Sequence, residues 1–180
     1  MKKNELAKNI YEVSHLTGEF KLRSGIISKE YFDKYQFESR PNLLSVITEH
    51  LELMIHNNLN INDFDILAGL EVGGIPIATA LGMKINKPIA FVRKKAKEYG
   101  TAKLVEGVSV ENMKLLIVED VVTSGGQIVL SVNDLRQNGA IIDKAICVID
   151  REQGGREALE KIGIQLIPLF TMKELKQSIV

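Results

Sequence analysis

Apolar residues recur along this chain with two different periods. Over residues 2–16, Leu6, Ile10, Val13 and Leu16 lie three or four apart, the spacing of one face of a helix. Behind Pro41, at a position suited to the first helical turn, Leu44, Ile47, Leu51 and Met54 repeat that spacing. Strand-like segments at 19–23 and 30–36 lie between, separated by the turn signal Ser24-Gly25. From residue 63 the pattern becomes a series of short apolar runs: FDILAGL, PIAFVR, LLIVED, IIDKAICVID and IQLIPLF. Helical stretches are expected from Gly73-Gly74 to about 84, and from about 125 to 138. Apolar strands alternating with helices predict right-handed βαβ units, hence an α/β fold with a central, mainly parallel sheet flanked by helices. The first 40 residues or so do not follow this rhythm. They are expected to form a small cap over the sheet, where open α/β folds specify their ligands.

Composition narrows the class. A chain of 180 residues suits one domain, 1–180, with about 1–40 supplying a helix and the cap and about 41–180 the α/β core. Hydrophobic residues at 45% and charged residues at 26% are ordinary for a folded protein. Lys+Arg and Asp+Glu stand at 23 each, so no global charge favours nucleic acid, and any anion must be held by local clusters. The start, MKKNELAKNIYEV, has no apolar signal-peptide core. No apolar run approaches the ~18–20 residues that span a bilayer. Cys147 is the single cysteine and reads as a small buried hydrophobe. His15, His50 and His56 fall in the helical N-terminal third without metal-ligand spacing. The expectation is a cytoplasmic protein with neither membrane nor nucleic-acid partner.

The most informative segment is LLIVEDVVTSGGQ, residues 115–127. An apolar strand ends in the adjacent carboxylates Glu119 and Asp120, and the turn Thr123-Ser124-Gly125-Gly126 leads into a helix. Glycines let backbone N–H groups converge on an anion, and the helix start adds partial positive charge, so the turn reads as a phosphate cradle. It lacks the GK[ST] ending of a P-loop, which argues against an ATPase. Two carboxylates would repel a nucleotide phosphate chain. They suit the hydroxyls of a ribose whose 5′-phosphate sits in the cradle; the plainer reading is a helix start with two solvated acids.

Two further segments bear on anions. Glu71-Val72-Gly73-Gly74 is another glycine-built strand-to-helix turn. Residues 93–103, RKKAKEYGTAK, hold five basic residues and one acid. A charge run is commonly a solvated face. This one leaves an apolar strand directly and contains Gly100, so it reads as a mobile cationic lid. A small nucleic-acid patch is the runner-up, with only Tyr99 as an interleaved aromatic.

Segment 115–127 resembles the PRPP-binding signature of the type I phosphoribosyltransferases: four apolar residues, two acids, two apolar residues, then T-[ST]-G-G. The resemblance implies that family's fold with its N-terminal hood, with Glu119 and Asp120 on the ribose 2′- and 3′-hydroxyls. It also implies that Val122, Thr123, Ser124, Gly125, Gly126 and Gln127 wrap the 5′-phosphate, with Val121 completing the ribose and phosphate site. Glu71, Val72, Gly73 and Gly74 resemble the family's pyrophosphate loop, which often carries a non-proline cis peptide. Residues 89–107, within the stretch PIAFVRKKAKEYGTAKLVEG that begins at Pro88, are similar to the catalytic loop of orotate phosphoribosyltransferases. That similarity implies Arg93, Lys94, Lys97 and Tyr99 at pyrophosphate, with Lys97 the principal catalytic lysine and Arg93 and Asp120 completing the catalytic set. Many family members have histidine where this chain has Tyr99, and a tyrosine stays neutral at pH 7. The family further implies a homodimer with loop 93–106 shared across the interface, and Mg²⁺ bound mainly through PRPP and water rather than by direct protein ligands.

The base is read from elsewhere. Residues 20–33, FKLRSGIISKEYFD, resemble the cap of the orotate enzymes, which implies Arg23 at the base or PRPP and Tyr31 and Phe32 near the pyrimidine ring, with Thr123 beside them. Ordinary strand packing is the alternative for Tyr31 and Phe32. Arg151, after the IIDKAICVID run, can grip a carboxylate through both arms of its guanidinium, and orotate differs from uracil by a carboxylate. A turn-exposed arginine is its alternative. The resemblance spans about 18–177. It implies transfer of phosphoribose from PRPP to orotate in pyrimidine synthesis. The rivals are a transferase for another base, or a non-catalytic PRPP-sensing regulator; the Lys97 loop favours an enzyme.

Overall fold

A computed structural model describes residues 1–21, 25–95 and 104–179. Its elements run α1 (Lys3–Ser14), β1 (His15–Lys21), β2 (Ile27–Phe32), α2 (Tyr35–Glu38), α3 (Pro41–Asn58), β3 (Ile66–Leu70), α4 (Gly74–Ile85) and β4 (Ile89–Val92). They continue with β5 (Val105–Gly107), β6 (Lys114–Val122), α5 (Gly126–Gln137), β7 (Ile141–Asp150), α6 (Gly155–Glu160), β8 (Gln165–Thr171) and α7 (Met172–Gln177). Six strands form one sheet in the order β5-β4-β3-β6-β7-β8. All its pairings are parallel except that of β4 with the short edge strand β5.

The apolar runs feed two cores because successive strand residues point to opposite faces. In β6, Leu116 and Val118 join the core formed with α1, α3 and α4, whereas Leu115 and Ile117 join the core under α5. Strand β7 divides likewise, Ile146 and Val148 to the first face, Ala145 and Cys147 to the second. Each leucine, isoleucine or valine so buried contributes roughly 1.5–3 kcal/mol before entropy is counted. Helix α4 covers the first face through Ile77, Ala78 and Leu81, and α5 covers the second through Ile128, Val132 and Leu135. The chain leaves β3 for β4 on one side and returns to β6 on the other. The carboxyl ends of β3 and β6 therefore flank a topological switch point, where such sheets open a crevice.

The N-terminal part differs in detail from the pattern expected. Helix α1 ends at Ser14, so Leu16, counted with its apolar face, lies in β1 together with His15. The ribbon partners are His15–Lys21 and Ile27–Phe32 rather than 19–23 and 30–36, and they form a separate antiparallel sheet. The chain turns at Asp33, whose Oδ1 accepts the N–H of Tyr35, and winds into α2. In α3 the buried stripe is Leu43, Ile47, Leu51 and Ile55, with Leu44 and Met54 on its margin. Residues 93–95 and 104–106 of the basic lid are described; the expectation of a lid over 96–103 lies outside the described residues.

Candidate functional site

A cavity of about 310 Å³ opens at the switch point, lined by Glu71 from the end of β3, Glu119 from β6, residues 121–128, Lys94 and Lys34. Its floor is the turn into α5. Gly125 adopts φ 73°, a left-handed conformation that glycine reaches without penalty. The first ladder bond of α5 runs from the Val129 N–H to the Gly125 carbonyl at 3.0 Å. The N–H groups of Gly126, Gln127 and Ile128 thus precede the ladder beside the cavity, with the positive end of a 12-residue helix behind them. Thr123 and Ser124 are exposed and add hydroxyls. An anion of phosphate size has its donors assembled here.

The acidic pair divides into two environments. Glu119 is partly buried and lines the cavity. Asp120 is 0% exposed, its Oδ1 accepting the Val121 N–H at 2.5 Å and its Oδ2 paired with Lys34 Nζ. Burial would raise the Asp120 pKa, but hydrogen bonds from Glu119 and Glu38 and the charge of Lys34 outweigh it and hold the group below its usual value. Glu119 moves the other way, raised first by burial and then by its hydrogen bond to Asp120. Glu38 of α2 is also buried, and its carboxyl is pushed up to about 9, by burial first and by the Asp120 hydrogen bond and charge next. Asp120 is therefore the anion of the cluster and Glu38 its neutral, proton-donating neighbour at pH 7.

The turn after β3 fits against this cluster. The Glu71-Val72 peptide is cis. Glu71 Oε2 accepts the Lys94 N–H at 2.8 Å, tying the turn to the start of the basic segment. Gly73 and Gly74 are buried. A Cβ on Gly73 would strike Asp120 Oδ2 and come within 2.9 Å of Glu38 Oε1, and one on Gly74 would strike the Val118 carbonyl oxygen. Val72 is 52% exposed, and neither it nor Arg93 is among the groups that line the cavity. The buried Arg93 Nε has no hydrogen-bond partner among the described residues.

A second cavity of about 250 Å³ holds Tyr31, Phe32 and Arg151, with His15, Met172 and Lys176. The Arg151 N–H donates to the Val122 carbonyl at 2.9 Å, which fixes this arginine to the strand end that opens the first cavity. Its Nε is buried without a hydrogen-bond partner among the described residues. Tyr31 stacks on Phe20 at 5.5 Å, and Phe32 packs toward Tyr11 at 6.4 Å, so both also contribute to the ribbon's own packing. Behind Arg151 the two loops touch backbone to backbone. A Cβ on Gly125 would lie 3.0 Å from the Gly155 oxygen, and one on Gly155 would lie 2.7 Å from the Thr123 oxygen.

Of the expected residues, Glu71, Lys94, Glu119 and residues 121–127 line the first cavity and Tyr31, Phe32 and Arg151 the second, whereas Asp120, Val72, Gly73, Gly74 and Arg93 line neither, and Arg23, Lys97 and Tyr99 lie outside the described residues. Sequence reading missed Lys34 and Glu38. Their four-residue spacing reads as an ordinary surface pair, and only the fold shows both directed at Asp120.

Comparison with known proteins agrees with this geometry. The Phosphoribosyl transferase domain matches residues 35–170. The orotate phosphoribosyltransferase of Nocardioides sp. is 42% identical over 170 residues, covering 94% of this chain and 92% of that relative. That of Methanocaldococcus jannaschii is 41% identical over 179 residues, 98% of each chain. The crystal structure of the Mycobacterium tuberculosis orotate phosphoribosyltransferase in complex with Fe(III) dicitrate superposes with a TM-score of 0.84 at 27% identity, covering 96% of this chain and 98% of that one. With a glycine-built anion cradle beneath an acidic pair, and relatives matched over nearly their whole length, this chain belongs to the orotate phosphoribosyltransferase family of type I phosphoribosyltransferases.

Proposed function

We propose that the protein transfers the 5-phosphoribosyl group of PRPP to orotate, giving orotidine 5′-monophosphate and pyrophosphate, as a cytoplasmic enzyme of pyrimidine synthesis. The observation that carries this is the joining of two cavities by one strand end: a phosphate cradle under Glu119 and Asp120, and beside it a buried arginine edge at Arg151. The cradle, residues 122–127, takes the ribose 5′-phosphate through N–H and hydroxyl donors. Glu119 and Asp120 accept from the ribose hydroxyls, and the turn 71–74 with Arg93 and Lys94 receives the pyrophosphate. Arg151 pairs with the orotate carboxylate, and Phe32, Tyr31 and Thr123 bound the ring.

The C1′–oxygen bond to pyrophosphate breaks with its electron pair leaving on pyrophosphate, and the new bond forms from N1 of orotate with inversion at C1′. Positive charge grows on the ribose and negative charge on the leaving group, so the site acts by position and electrostatics. Among the described residues no group of three or more His, Cys, Asp or Glu could hold a metal ion. The first cavity does carry hard oxygen groups, Glu71, Glu119 and two hydroxyls, which suit the water shell magnesium keeps. Mg²⁺, when bound through PRPP and water, would neutralise the departing pyrophosphate.

The test is ultraviolet absorbance of orotate with PRPP and Mg²⁺, beside adenine, hypoxanthine and uracil. Mg²⁺-dependent loss of orotate supports the reading. Consumption of another base alone would overturn the assignment of Arg151 and the cap, and silence with every base despite PRPP binding would favour a regulator.

A further inference from the structure

Lys34 has no part in the reaction as derived so far, yet it stands in the middle of the site. It leaves the loop between β2 and α2, lines the first cavity together with Glu71 and Lys94, and lays its ammonium on Asp120. About a third of its side chain remains exposed while Asp120 has none. Its ammonium also lies 5.4 Å from the centre of the Tyr35 ring, an attraction that leaves N–H groups unused. The carboxylate it covers is the one that abuts Gly73, so the ammonium stands at the pyrophosphate turn.

A buried carboxylate without a counter-charge is costly, and Lys34 supplies the charge here. A ribose hydroxyl reaching Asp120 would donate to the same oxygen. The ammonium would then be displaced by a neutral donor, in a cavity that at that moment contains a polyanion. A lysine is a point charge on a four-carbon stem with three rotatable donors, suited to such an exchange. Glu38 bears on the other side of Asp120. Its Oε1 is buried and receives no N–H or hydroxyl among the described residues, which fits a protonated carboxyl donating to Asp120. Asp120 thus keeps its place when Lys34 departs.

We propose that Lys34 is a substrate-binding residue of this site, exchanging its contact with Asp120 for the pyrophosphate group of PRPP once the ribose hydroxyls engage Asp120, with Glu38 as the positioning residue that holds Asp120 through the exchange. This rests on the PRPP reading of the site but not on the identity of the base.

The experiment is calorimetric binding of PRPP, pyrophosphate and ribose 5-phosphate to the whole chain, wild type against Lys34→Gln and Lys34→Arg, all with Mg²⁺. Lys34→Gln should weaken PRPP and pyrophosphate by about tenfold or more, the effect of losing one charge-assisted contact. Ribose 5-phosphate, which has no pyrophosphate to receive the ammonium, should bind no more weakly to Lys34→Gln, because its hydroxyls no longer have to displace Lys34 from Asp120. Lys34→Arg should recover most of the PRPP affinity. A Lys34 that merely ties the cap to β6 would shift all the ligands together, or only the melting temperature, and either result overturns the proposal. So does PRPP affinity within twofold of wild type in Lys34→Gln. Failure of wild type to consume orotate while binding PRPP would instead overturn the choice of base, and the PRPP and pyrophosphate comparison would still decide for or against Lys34.

Discussion

At Gly73 the missing side chain is a requirement set by its neighbour, since a Cβ would meet Asp120 Oδ2 and crowd Glu38. Gly73→Ala must push the acidic cluster aside, and overpacking of this kind costs about 1–3 kcal/mol. Urea unfolding should show that loss together with weaker PRPP binding; an unchanged midpoint would mean that Asp120 yields freely. Arg151 poses the complementary case of a buried Nε with no acceptor among the described residues. Arg151→Ala should raise the orotate KM by about 10–100-fold, the worth of a charged hydrogen bond, and leave the PRPP KM within about twofold. An unchanged orotate KM would remove Arg151 from the base site. Glu38 ties stability to pH. Its pKa is about 9 in the folded protein against an ordinary 4.5, so the native state holds a proton that the unfolded chain releases between these values. The contribution is complete below about pH 4.5 and declines as pH rises toward 9, at up to about 1.4 kcal/mol per pH unit. Glu38→Gln, which cannot ionise, should flatten the loss of urea stability between pH 5 and 9. An identical slope in both proteins would place the proton elsewhere.

At the scale of elements, the basic segment leaves β4 held at both described ends: the Lys94 N–H on Glu71, and the Arg93 N–H on the Leu104 carbonyl at 2.9 Å. The span between them carries Lys97. By the family's pattern, Lys97→Ala should lower turnover about 10²–10³-fold, as loss of one transition-state donor does. Turnover within twofold of wild type would take Lys97 out of the mechanism. Strand β3 and the central parts of β6 and β7 were legible in the sequence because they are continuous apolar runs buried on both faces, and the glycine turns because few residues other than glycine fit them. The ribbon was misplaced by up to four residues. Its strands are largely exposed and carry little alternation, so only the Ser24-Gly25 turn marked them. Helix α7 escaped notice, although Thr171 and Glu174 form a reciprocal cap, each side chain accepting the other's backbone N–H. In the site, the motif residues were readable one by one. The Lys34-Asp120-Glu38 contact joins positions more than 80 apart, and nothing local announces it.

For the whole molecule, the family's pattern places the lid of one subunit over the site of another, and we expect this chain to pair in the same way. Mixing the Lys97→Ala and Arg151→Ala proteins, assayed at orotate well below the raised KM so that each alone is nearly silent, tests it. A lid acting in its partner's site would leave one intact site in each hybrid, giving about a quarter of wild-type activity after random exchange. No recovery would mean that each lid serves its own subunit. The backbone contact between Gly125 and Gly155 has a consequence at the same scale. It fastens the turn proposed to take the phosphate to the loop that bears Arg151, proposed to take the carboxylate. The seam is backbone and the Val122 side chain, packed too closely to take even a methyl group, so on the proposed reading the two loops act as a gauge of the span from phosphate to carboxylate. A base whose acidic group projects one bond farther would then have only the Arg151 side chain to take up the difference, and should bind more weakly on distance alone.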